Sequence, residues 1–140
     1  MILNASSNNV EANTVELLWE QNPIGTMSSG HSVNVCNMTT PMKYFVPSEY
    51  DILYVVSYST SDKKEAISTF PILPGIDGTQ QFFVYNGKYC YHRSVTVNAN
   101  GVTFGAGARV TLGGGTASSD AKYAVPYRIY GVRYRGDDSE

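Results

Sequence analysis

Apolar and polar residues alternate through most of this chain, and clusters of Gly, Pro, Asn and Ser cut the alternation into strand-length pieces. The clearest alternation runs through residues 89–107, YCYHRSVTVNANGVTFGAG. The Asn100-Gly101 pair inside it favours a two-residue type I′ turn, because both central positions of that turn need φ > 0. Such a turn sets Ala99 opposite Val102, Val97 opposite Phe104 and Val95 opposite Ala106. The apolar side chains of the pair then share one face. Ser94, Thr96, Asn98 and Thr103 share the other, as a half-buried antiparallel pair requires. By the same parity Cys90 lies on the polar face, partly exposed. Residues 80–85, QQFFVY, and the Asn86-Gly87 turn extend the hairpin into a three-stranded meander over 80–107.

The remaining pattern predicts further short strands. Residues 14–19, TVELLW, put Val15, Leu17 and Trp19 on one face and Leu18 opposite. Residues 32–36 point Val33 and Val35 inward, and Pro41 and Pro47 bracket a short strand over 42–46. Residues 52–59, ILYVVSYS, are apolar on both faces, which fits a strand interior to a sheet or one held against a partner subunit. Pro71 within 66–73 assigns that strand to an edge or a bulge. A short strand is expected over 109–112, a patternless mobile loop over 113–120, and a closing strand over 124–134. In that last strand Tyr127 and Ile129 point one way and Tyr130, Val132 and Tyr134 the other. Residues 1–13 read as a flexible N-terminal arm and 135–140 as a frayed tail. No helix-period segment of ten residues appears, and no internal repeat.

Composition narrows the class. The chain has 140 residues, enough for one domain, with 13 Gly, six Pro and only 16% charged residues. That mixture and the many short strands predict an all-β fold, an antiparallel β-sandwich, jelly-roll-like, of about eight strands spanning 14–134. Net charge is −2 with no basic block, so nucleic acid is not an expected partner. No apolar run approaches the roughly 18 residues of a membrane helix. The opening MILNASSNNVEANT lacks a positive n-region, which predicts no secretion signal and a chain complete from its own Met. Cys36 and Cys90 then read as free thiols.

Candidate chemistry is sparse. Cys90 and His92 share a strand face, but with His31 and Cys36 they match no zinc-finger spacing, so no metal is expected. The histidines assemble into no triad, and there is no G-x-S-x-G elbow. The carboxylates Glu16, Glu20, Glu49, Asp51, Asp62, Glu65, Asp77 and Asp120 sit mostly at turns and strand ends, and nothing in the pattern selects a catalytic pair. The Gly-rich segments 104–107 and 113–115 precede no helix and carry no P-loop lysine, so no phosphate or cofactor site is expected. Gly105 and Gly107 instead suggest close backbone approach. The 11 tyrosines exceed what a core can bury with every hydroxyl satisfied, which points some of them toward contacts. Tyr89, Tyr91, His92, Tyr130 and Tyr134 are the candidate contact residues. The outer faces of 52–59 and 124–134 and the N-terminal arm are the candidate assembly surfaces.

Three stretches in order, ELLWEQNP at 16–23, SEYDILYVV at 48–56 and VPYRIYGV at 125–132, resemble a small β-rich module at the ends of tail-fibre and minor structural proteins of tailed bacteriophages. The resemblance covers most of 14–134. It implies a virion location, a structural or host-attachment role, usually as a homotrimer, contacts with other virion proteins or a host-surface glycan, and no catalytic residues. The chain is nearly the module alone. A purely architectural capsid or tail protein is the alternative expectation, and a small glycan hydrolase the third.

Overall fold

A strand with one apolar face needs a second sheet to cover it, and this chain builds two. The computed structural model describes residues 14–36, 38 and 46–134. The described strands are β1 (Thr14–Glu20), β2 (His31–Asn34), β3 (Ile52–Thr60), β4 (Ile67–Ile72), β5 (Thr79–Tyr85), β6 (Tyr89–Val97), β7 (Gly101–Thr111), β8 (Ser118–Ser119) and β9 (Tyr123–Arg133). The first sheet runs β1-β9-β3-β4 and the second β2-β7-β6-β5, with β8 on the free edge of β7 beyond β2. Every pairing is antiparallel. Leu18, Leu53, Val55, Ile72 and Ile129 of the first sheet meet Phe82, Val84, Val95, Val102 and Phe104 of the second in one core. A 3₁₀ turn over Pro47–Glu49 is the one helical element among the described residues.

The result is the expected β-sandwich, with nine described strands. The first three strands alternate between sheets, and β9 returns between β1 and β3, which is the wrapping of a jelly roll. β4 stays beside β3, and β5, β6 and β7 run as a meander. Both two-faced strands, β3 and β9, are interior to the first sheet, and Pro71 lies on the edge strand β4. The proposed strand over 42–46 falls largely outside the described residues, as do the arm over 1–13 and the tail over 135–140.

Three bulges correct the sequence reading. In the hairpin, Val97 pairs with Val102 and Val95 with Phe104, so the connection is four residues long, closed by Asn98 N–H donating to Gly101 O at 2.8 Å. Val95, Val102 and Phe104 still face the core, while Ala99 and Ala106 are exposed. Further along, Gly105 and Ala106 together oppose Ser94, and a Cβ on Gly105 would overlap the Ser94 hydroxyl. In β1 the extra residue is Leu18, which is fully buried, whereas Val15 is 63% exposed. In β9 it is Tyr127, which turns out to stack on Tyr58 at 4.7 Å rather than follow Ile129 inward. Two smaller corrections follow. Residues 109–111 belong to the long β7, and the loop over 113–120 contains β8, paired with Ala108 and Arg109.

The largest fully buried side chain is a charged one. Arg93 lies on the core face of β6 with 0% exposure. Its Nε donates to Ala124 O (2.9 Å), Nη1 to Met27 O (2.9 Å) and Gly105 O (2.8 Å), and Nη2 to Tyr123 O (2.7 Å) and Ala121 O (3.3 Å). Five guanidinium N–H groups thus meet five backbone carbonyls, the full donor count of an arginine. Burial pulls its pKa down to about 10, which leaves it charged at neutral pH. Successive carbonyls of a regular strand point to opposite sides. Ala124 adopts φ 48, and the carbonyls of Tyr123 and Ala124 both reach Arg93. The side chain therefore fastens the second sheet to the start of β9 and to the loop before β2.

At the other end of β9, Tyr50 is buried against Gly131, and its hydroxyl donates to Glu16 Oε1 at 3.1 Å. Arg133 donates to the same carboxylate at 2.8 Å and lies over the Tyr50 ring at 4.5 Å. Burial, then the Glu16 charge, raises the Tyr50 phenol well above its ordinary value of 10.0. A folded-state pKa above the unfolded one contributes stability that is fully present below pH 10 and is lost as pH rises beyond it. Thermal melts between pH 9 and 12 should therefore show a steeper alkaline loss in the wild type than in Tyr50→Phe. Parallel alkaline slopes would exclude Tyr50 as the titrating group.

Candidate functional site: a tyrosine–arginine groove

The start of β6 is set by side-chain chemistry in the turn before it. Asn86 Oδ1 accepts from the backbone N–H of Lys88 (3.0 Å) and Tyr89 (2.8 Å), and Gly87 takes φ 96. From there the strand period puts Tyr89 and Tyr91 on one face, and the pairing of Tyr91 with Arg109 adds the arginine to it. Tyr123, at the start of β9 in the other sheet, approaches from across the sandwich, 5.4 Å from Tyr91 between ring centroids. The charged β3–β4 connection supplies Asp62, Lys63 and Glu65. Together these segments line a groove of about 420 Å³.

Its interior is ordered by rings and charges. The Arg109 guanidinium lies over Tyr89 at 4.2 Å and over Tyr123 at 5.0 Å, while Lys88 Nζ lies 5.2 Å from the Tyr89 ring. Tyr91 is 3% exposed, and its hydroxyl accepts from Asn86 Nδ2 at 3.4 Å. The same amide reaches Glu65 at 3.4 Å. Lys122 pairs with Asp62 at 3.7 Å. The Thr60 hydroxyl, with Lys122 adding to it, holds the Asp62 carboxyl below its ordinary value, so this acid is ionised and not poised to give a proton. Neither histidine lines the groove. Among the described residues, no three His, Cys, Asp or Glu side chains gather in a metal-binding arrangement.

Comparison with protein-family models, curated proteins and solved structures finds no match to this chain.

Of the five candidate contact residues, the structure brings together Tyr89 and Tyr91. His92 has the opposite strand parity, pairs with Ala108 and lies 6.4 Å from the Phe83 ring. Tyr130 and Tyr134 belong to the other sheet. Tyr130 stands opposite Tyr54 and accepts from Arg128 Nη1 at 3.1 Å, and Arg128 in turn pairs with Glu20 at 2.8 Å. Tyr134 is 47% exposed, with its phenol pKa raised by burial and by Tyr54. Beside them the stacked Tyr58 and Tyr127 border a smaller cleft of about 190 Å³ with Lys64 and Glu20. Cys36 and Cys90 are unbonded thiols, and burial raises that of Cys90. Arg109, Tyr123, Asn86 and Lys122 escape the sequence reading, because only the β6–β7 register and the approach of the two sheets place them beside Tyr89.

Proposed function

We propose that the protein is a non-catalytic recognition domain whose end loops hold a host-surface glycan in the Tyr89 groove. The observation that carries this reading is the convergence of three connections, 61–66, 86–88 and 121–123, on one groove supported by a rigid sandwich. A sugar presents hydroxyls in a ring, and the groove offers Asn86, Asp62, Glu65 and lysine side chains to meet them. The sequence resemblance supports a setting in a phage virion, with identical copies multiplying a weak contact into avidity. The partly exposed tyrosines of the first sheet, Tyr54, Tyr58, Tyr127 and Tyr130, favour a second role for that face in assembly with further copies or other virion proteins.

The test is binding of purified bacterial envelope polysaccharides to the wild type and to Tyr89→Ala, with circular dichroism confirming the fold. The reading expects retention by the wild type, loss in the variant, and no shortening of the polysaccharide on incubation. Chain shortening that stops in Glu65→Gln would make the protein a hydrolase. Retention that survives Tyr89→Ala would move the site elsewhere. Light scattering on the same sample gives the copy number, for which a trimer is expected.

A further inference from the structure

The charges of the groove are not balanced. Four cationic side chains and two acidic ones line it, in a chain whose net charge is −2. Both acids are already engaged. Asp62 accepts from the Lys63 backbone N–H at 2.9 Å and pairs with Lys122, while Glu65 accepts from Asn86. Lys63, Lys88 and Arg109 have no ion pair among the described residues. Arg109 is the telling one. Two tyrosine rings hold it, at 4.2 and 5.0 Å, and its guanidinium makes no hydrogen bond to another described residue. Arginine elsewhere in this fold is satisfied, Arg93 by five carbonyls and Arg128 by Glu20. A guanidinium held between rings, charged and without an acceptor among the described residues is the half of a fork-to-fork pair that awaits a planar anion.

We infer that the groove selects an acidic sugar, whose carboxylate takes the place opposite the Arg109 guanidinium. The lysines add attraction at longer range, and the neutral hydroxyls fall to Asn86 and the two acids. This inference rests on the glycan reading above and names its ligand class.

The probes are tetragalacturonate, its fully methyl-esterified form, which has the same rings without charge, and mannose 6-phosphate, a phosphate-bearing sugar. Binding is followed by tyrosine fluorescence and by the Arg109 Nε–H NMR signal. The expected result is binding of the uronate at low ionic strength, weakened by salt and lost on esterification. Arg109→Gln should weaken it roughly 10- to 100-fold, the loss of one charge-assisted pair, and Arg109→Lys should restore only part. Arg128→Gln, on the other sheet, should bind as the wild type does. Tighter binding of the phosphate sugar would keep the anion site and change its ligand to phosphate. Equal binding of the uronate and its ester would overturn the inference while leaving a neutral-glycan reading intact. Binding of none of the three, and of no neutral oligosaccharide, would overturn both.

Discussion

Replacing Arg93 with methionine is expected to cost about 3–5 kcal/mol of folding stability, the scale for losing one partner of a buried charged network. The side chains are similar in volume, so packing is nearly preserved and the loss isolates the five hydrogen bonds. Without the guanidinium, the carbonyls of Met27, Gly105, Ala121, Tyr123 and Ala124 each lose a donor, and Ala121 O keeps only the Met27 N–H at 2.9 Å among the backbone bonds outside the strands. An unmet buried polar group costs about 1–3 kcal/mol on its own. Relaxation and water entry near the cleft at Ser28 and Asp120 recover part of the sum. Since small domains have about 5–15 kcal/mol in total, the methionine variant sits near the limit of folding. Arg93→Lys keeps the charge but offers three donors that cannot span the same carbonyls, and should fall between the two. Urea denaturation followed by circular dichroism orders the series. A methionine variant as stable as the wild type would show the cage to be dispensable. The same site explains Gly107, where a Cβ would overlap Tyr123 O and come within 2.6 Å of Arg93 Nη2.

The second large effect is expected at Gly101. If this glycine served a type I′ turn, asparagine would replace it at little cost, because asparagine tolerates φ > 0. In the structure Gly101 does not take a positive φ. It pairs with Asn34 of β2, and a Cβ there would overlap the Val33 carbonyl oxygen and lie 2.9 Å from Asn34 Cα. The obstacle is backbone, which cannot rotate away as a side chain does. Gly101→Ala and Gly101→Asn should therefore lose about 1–3 kcal/mol each, the range for forcing atoms into a packed site, and lose it alike. A tolerated asparagine with a damaging alanine would restore the tight-turn reading. Gly87, with φ 96 and open space around it, is the contrasting position: there the cost is backbone strain alone, and asparagine should lose less than alanine.

These two residues also mark how far the sequence alone can be read. Period-two alternation and β-branched or aromatic composition located the strands at 52–60, 79–85 and 89–97 to within a residue or so, and Pro71 identified an edge. Those signals are local. Bulges are not, because one inserted residue reverses the parity of everything beyond it while leaving composition untouched. Trp19, which joins Leu18 on the core side instead of following Val15 and Leu17, and Tyr127, which leaves the side of Ile129, depart from their expected faces for that reason. Arg93 stands on the apolar side of its strand by parity, but a lone charge there carries no mark that five carbonyls from three separate segments will converge on it. The groove was half legible. Tyr89 and Tyr91 come from strand period, whereas Tyr123 and Arg109 come from tertiary approach.

The position of β9 between β1 and β3 has a consequence for synthesis on the ribosome. While the nascent chain is shorter than this strand, β1 has, among the described residues, only the amides of Cys36 and Met38 beside it, and β3 has β4 alone as a strand neighbour. The β5–β7 meander can form by then, since its contacts are local. Yet three of the carbonyls that satisfy Arg93 arrive only with Ala121, Tyr123 and Ala124. The earlier strands must wait, with open edges, for a segment translated long after them, and that interval is when the chain is most exposed to pairing with a neighbour instead of with itself.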